Sequence, residues 1–194
     1  MISRLDHVSL AVDDIEKAVR FFSEVFGAMP GVGETDPKMK YSWRVFSIGD
    51  LSRLELLNPT GEGSFLDNFL KKNASGGVHH ITFETPDIRE AAAILDRKGI
   101  PYFGFNDKAE GWKELFIHPK DAFGVLIQIA EFDPDDYLDS SVKLGPGTKW
   151  RVEKTEDGAT LKVAHPGGGT VEIDMDRTLM RALIEDLKRG LEEK

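Results

Sequence analysis

GVHHITFETPDI, residues 77–88, reads as a strand, a turn and the start of a helix, with two histidines near the strand's beginning. Asp6–Ile15, DHVSLAVDDI, has the same plan. Sliding the chain by 73 residues without a gap places His7 on His80, Asp14 on Asp87, Ile15 on Ile88 and Ala18 on Ala91. The same shift places Glu55 on Gln128, each inside a short apolar run, SRLELL and VLIQIA. The first 131 residues therefore read as two copies of one unit of about 60–70 residues.

Working outward, the strand that holds His7 is mostly apolar on both alternating sets, which suits a strand covered on two faces. Asp13 or Asp14 caps a helix carrying Ile15, Ala18, Val19, Phe22, Val25 and Phe26 at helical spacing, and Gly27 closes it. Residues 28–40 hold two prolines and two glycines and are expected to be a long loop. Tyr41–Ile48 reads as a strand, Gly49–Asp50 as a turn and Leu54–Leu57 as the strand carrying Glu55. Ser64 can cap a short helix with Phe65, Leu66, Phe69 and Leu70, which has no counterpart in the second copy and is taken as the connector. The second copy then runs through a strand at His79–Thr85, a helix at Ile88–Lys98 closed by Gly99, and strands at Pro101–Phe105, Trp112–His118 and Val125–Glu131. The organisation expected is an α+β fold with modules at 1–63 and 77–131, a connector helix at 64–76, and an extension at 132–194. That extension opens with the acidic linker DPDDYLDSS. It continues as a small β-meander at Trp150–Lys154, Thr160–Ala164 and Thr170–Asp174, turning at TEDG and HPGGG. It ends in a helix striped by Leu179, Met180, Leu183, Ile184 and Leu187.

Composition bounds the function. The chain has 194 residues, 40% hydrophobic and 30% charged, which is ordinary for a globular protein. With no cysteine there is no disulfide and no thiolate chemistry. A net charge of −9 argues against nucleic acid as the main partner. No apolar run reaches the ~18–20 residues of a membrane span, and the N-terminus lacks a signal-like apolar core. The expected setting is the cytoplasm, with no membrane partner.

The candidate site is the set His7, Glu55, His80 and Gln128. Alternate residues of a strand share a face, and a carboxylate flanked by Leu54 and Leu56 is costly to bury without a cation or donor facing it. Two imidazoles and one carboxylate suit a divalent metal such as Zn, Fe, Co, Ni or Mn. A glutamine carbonyl is a weaker oxygen ligand. The plain alternative for Glu55 is an ion pair with Arg44 or Arg53. Strand alternation sends His79 to the face opposite His80, as a structural residue. His118, before a proline, suits a turn, and His165 is expected to be exposed.

These motifs resemble the vicinal oxygen chelate superfamily, the glyoxalase/bleomycin-resistance/dioxygenase group, over about residues 4–131. Within it LDHVSLAVDDIEKAVRFF, LELLNPT and FIHPKDAFGVLIQI are most similar to the methylmalonyl-CoA epimerases. The resemblance implies paired βαβββ modules curled around a divalent metal, with His7, Glu55, His80 and Gln128 as ligands. It implies a metal-dependent isomerase or epimerase, acting on a small carbonyl or acyl-CoA substrate through a stabilised enolate. Glu55 would be the residue that moves the proton. It also implies a homodimer, for which the stripe of the last helix offers a surface. The chain departs from the family at Gln128, where a glutamate is usual, and an amide cannot act as acid or base. Lys40–Ile48, where some epimerases carry a second carboxylate, holds no Asp or Glu. A glyoxalase-like lyase, an Fe(II) dioxygenase and a non-catalytic binding protein are the alternatives.

Overall fold

The computed structural model describes residues 2–49, 52–165 and 167–192; Asp50 and Pro166, in two of the expected turns, lie outside the described residues. The chain divides into two compact units, Met1–Asp139 and Ser140–Lys194.

The first unit contains β1 (Arg4–Ala11), α1 (Ile15–Phe26), β2 (Met29–Asp36), β3 (Tyr41–Ile48), β4 (Ser52–Pro59) and α2 (Asp67–Lys72). It repeats the pattern with β5 (Gly77–Glu84), α3 (Ile88–Lys98), β6 (Phe103–Asn106), β7 (Trp112–Ile117) and β8 (Leu126–Phe132). The strands form one eight-stranded sheet in the order β2-β3-β4-β1-β5-β8-β7-β6. Each half is a βαβββ module: β1 runs parallel to β4 and β5 parallel to β8, while β1 and β5 meet antiparallel at the centre. The two-module reading of the sequence is thus the architecture of this unit.

Matching local signals start and stop the two long helices. Asp14 accepts a hydrogen bond from Lys17 N, and Asp87 accepts from Arg89 N and Glu90 N. Gly27 and Gly99 close the helices at φ 64° and 66°, where a Cβ would be strained. On the helix side of the sheet, Ile15, Ala18, Val19 and Phe22 of α1 pack on Phe46, Leu54 and Leu56. Ile88, Ala91, Ala92 and Leu95 of α3 pack on Leu115 and Ile129. Alternation therefore turns Glu55 and Gln128, neighbours of Leu56 and Ile129, to the other face.

Three expectations change. Residues 28–40 are not a loop but contain β2, an edge strand without apolar alternation. A Cβ at Gly33 would come 2.6 Å from Trp43 O, and one at Gly31 would come 2.6 Å from Tyr137 O, so both glycines serve close backbone approach. The connector helix starts at Asp67, later than Ser64, whose Oγ accepts from Leu66 N in the turn before it. The first unit also runs on past residue 131 to Asp139. Pro134–Tyr137 forms a 3-10 turn whose Pro134 carbonyl accepts from Arg53 Nη1 at 3.2 Å, and the Tyr137 ring packs 5.2 Å from Trp112.

The second unit is a three-stranded antiparallel meander, β9 (Trp150–Lys154), β10 (Gly158–Ala164) and β11 (Thr170–Asp176), followed by α4 (Arg177–Glu192). Asp176 caps α4 by accepting from Thr178 N and Leu179 N, each at 2.8 Å. His165 is half-buried rather than exposed, because its Nδ1 accepts from Gly167 N at 2.9 Å in the turn. Among the described residues no helix is long and apolar enough to cross a membrane.

Candidate metal centre

The site lies on the face of the eight-stranded sheet away from α1 and α3, at the seam between modules. Strands β1 and β5 supply His7 and His80, β4 supplies Glu55 and β8 supplies Gln128. His7 Nε2 is 3.7 Å from Glu55 Oε2, and His80 Nε2 is 3.5 Å from the same oxygen. Ligand atoms of His7, Glu55 and His80 all lie within 4.8 Å of one another. Gln128 comes to the edge of this cluster, its Oε1 accepting from Thr82 Oγ1 at 2.6 Å. Thr82 Oγ1 in turn lies 2.9 Å from His7 Nε2.

Two β-bulges shape the site. In the β1–β5 ladder Asp6 is the extra residue between Leu5 and His7, and His79 is the extra residue between Val78 and His80. The 73-residue shift relates them. A bulge re-aims a side chain that strict alternation would send to the other face. Asp6 Oδ2 therefore reaches His7 Nδ1 at 2.6 Å, and His79 Nδ1 reaches His80 Nδ1 at 3.0 Å. His79 is thus on the site side rather than behind it, with its ring edge-on to Phe65 and Phe69. With both Nδ1 atoms engaged, Nε2 is the nitrogen each histidine turns to Glu55.

Hydroxyls follow the same symmetry. Ser9 donates to Glu55 Oε2 and lies 2.8 Å from His80 Nε2, as Thr82 bridges Gln128 and His7. Each module's hydroxyl links its own polar strand residue to the other module's histidine. Behind His7, Asp6 pairs with both Arg4 and Arg53, and Arg4 Nε donates to Glu84 at 2.9 Å. Arg53 is therefore spoken for by Asp6, and Glu55 has the histidines and Ser9 as partners instead of an arginine. His118 takes the expected turn role, its Nδ1 accepting from Lys120 N at 3.2 Å.

The electrostatics of the two histidines differ. Burial works against a charged His7, but hydrogen bonds to Asp6 and Glu55 and their negative charge prevail, lifting its pKa to about 9. Burial dominates at His80, reinforced by the charge of its neighbours His7 and His79, and lowers its pKa to about 4 despite Glu55. Burial likewise opposes ionisation of Glu55, but His7 and His80 hold its carboxyl below the ordinary range.

The donor set fits a metal ion on its chemistry: two imidazole nitrogens, one carboxylate, and a hydrogen-bonded Nδ1 behind each ring. It opens on a cavity of about 800 Å³ walled by aromatic side chains, among them Trp43, Phe65, Phe103, Trp112 and Tyr137. Glu114 also lines this cavity; its Oε2 accepts from Gln128 Nε2 at 2.7 Å and from Trp112 Nε1 at 2.8 Å. Asp6, Ser9, Thr82 and Glu114 are site residues that the sequence reading passed over. The 73-residue shift pairs Ser9 with Thr82 and so already marked both.

The model of the glyoxalase/bleomycin resistance protein/dioxygenase superfamily matches residues 6–116. The chain is 37% identical over 134 residues to the ethylmalonyl-CoA/methylmalonyl-CoA epimerase of Cereibacter sphaeroides, covering 68% of this chain and 99% of that one. It is 36% identical over 132 residues to human mitochondrial methylmalonyl-CoA epimerase, covering 67% of this chain and 74% of the relative. Among solved structures, a variant of the Streptomyces coelicolor methylmalonyl-CoA epimerase in complex with 2-nitronate-propionyl-CoA superposes with a TM-score of 0.61 and 30% identity. That match covers 68% of this chain and 99% of the other.

Proposed function

Because the chain belongs to the glyoxalase/bleomycin resistance protein/dioxygenase superfamily, we propose that it is an epimerase for a methylmalonyl-CoA-like substrate. It would invert the carbon between the thioester and the carboxylate by removing and returning one proton. The observation that carries this reading is the meeting of His7, Glu55 and His80 at one cavity. The relatives are named for this reaction and favour it over the lyase and dioxygenase alternatives.

The cluster can hold a metal ion. In the proposal the ion is divalent, held by Nε2 of His7 and His80 and by Glu55, with Gln128 Oε1 as a fourth ligand. When bound, such an ion supplies Lewis acidity to the substrate's oxygens. Glu55 is the base. Its Oε2 takes the contacts with Ser9, His7 and His80, which leaves Oε1 to receive the proton. With substrate filling the aromatic-walled cavity, the charge that develops on it would be met by fixed groups instead of by solvent. We also assign a homodimer, supported by the exposed Phe21, Val25 and Phe26 of α1; light scattering tests that assignment.

The test of function is incubation of metal-loaded protein with one epimer of methylmalonyl-CoA in deuterium oxide. Inversion with uptake of deuterium at the α-carbon is expected. No exchange by fully loaded protein rejects this substrate.

A further inference from the structure

Inversion needs proton transfer on both faces of the reacting carbon, and Gln128 can neither give nor take a proton at neutral pH. We infer that Glu114 is the second proton-transfer residue, facing Glu55 across the seam of the sheet; the inference rests on the epimerase reading. Glu55 stands on β4 and Glu114 on β7, which lie on opposite sides of the central β1–β5 pair. Both line the same cavity.

The anchoring of Glu114 is what sets it apart from the other acidic side chains there. Gln128 Nε2 and Trp112 Nε1 both donate to its Oε2, at 2.7 and 2.8 Å. Among the described residues no hydrogen bond falls on its Oε1. One oxygen is thus fixed and the other left to substrate. The same contact turns the Gln128 amide so that its Oε1 faces Thr82 and the histidine cluster. Asp36 also lines the cavity, but its Oδ1 accepts from Lys38 N and Met39 N in the turn after β2. Glu34 lies exposed on the edge strand β2.

The step balances. Glu55 takes the α-proton, and the C–H electron pair moves into the enolate. Glu114, in its acid form, gives its proton to the opposite face of the same carbon, and the pair returns to form the new C–H bond. Glu55 ends protonated and Glu114 ionised, the arrangement required for the reverse direction.

The experiment compares metal-loaded wild type, Glu114→Gln and the swap variant Glu114→Gln with Gln128→Glu, each given the separate epimers in deuterium oxide. Glu114→Gln should lose inversion by about 10²-fold or more yet still wash deuterium into the one epimer whose proton Glu55 removes. The swap keeps an amide–carboxylate pair and returns an acid to the site, so it should regain inversion. Inversion by Glu114→Gln near the wild-type rate overturns the assignment. So does equal slowing of exchange for both epimers, the behaviour of a residue that only supports the site's shape. Wild-type protein that exchanges neither epimer overturns the epimerase reading, and this assignment with it.

Discussion

Asp6 Oδ2 sits 2.6 Å from His7 Nδ1, so the proton on that nitrogen is committed to a buried carboxylate and Nε2 is the atom presented to the site. The carboxylate is fixed in turn by Arg4 and Arg53. Asp6→Asn removes the charge but keeps the shape, and should weaken zinc binding by roughly 10–100-fold, read by competition with a chromophoric chelator. Asp6→Ala should also cost about 3–5 kcal/mol in the metal-free protein, because it leaves Arg53, with 1% of its side chain exposed, charged and unpaired. Unchanged zinc affinity in both variants would show that Asp6 does not act through His7.

Ligand removal gives a second test. The double variant Glu55→Ala, His80→Ala takes away two of the three clustered donors, one from each module. Its metal content after loading and desalting should fall from near-stoichiometric to background while circular dichroism stays that of wild type. Full metal retention would mean that the ion binds elsewhere.

Loading should also depend on pH in a defined way. The raised pKa of His7, about 9, means that it carries a proton at neutral pH, whereas His80, at about 4, does not. Binding a metal at neutral pH should therefore release about one proton, and affinity should rise about tenfold per pH unit until His7 titrates. Conversely, the stability that His7 lends to the metal-free fold is present below its unfolded pKa and is lost as pH rises through about 9. Calorimetry in buffers of different ionisation enthalpy counts the protons; two released per ion would show that both rings are charged beforehand.

Two glycines with positive φ should respond differently to alanine. Gly99 closes α3 at φ 66° with nothing within 4 Å of an added Cβ, so Gly99→Ala carries only the left-handed strain of about 1 kcal/mol. Gly76, just before β5, has φ 77° and would place a Cβ 2.5 Å from Ala11 O. Gly76→Ala adds backbone displacement at the seam to that strain and should cost at least about 2 kcal/mol. Urea denaturation of both variants checks the order; equal losses would mean that the seam gives way freely.

The two-copy arrangement and the meeting of His7, Glu55 and His80 were legible because a fixed shift in sequence survives as a near-symmetry in space. The bulges were not. Alternation is a rule for regular strands, and the extra residue at Asp6 and at His79 breaks it at the very histidines that matter. Strand β2 reads as a loop in the sequence because Pro30, Gly31 and Gly33 interrupt any pattern, and an edge strand needs little apolar alternation to pair. Glu114 escaped for the opposite reason. The shift sets it on Tyr41, so it belongs to one module alone, and a search for repeated residues passes over it.

The antiparallel pairing of β1 with β5 has a consequence for fragments. Of the clustered donors, residues 1–63 alone would carry His7 and Glu55, beside an uncovered β1 edge. Two such pieces joined edge to edge along that strand would bring two histidines and two glutamates together about a true dyad. A pair of this kind would offer a cation two carboxylates in place of the single one that the two modules of the whole chain bring together.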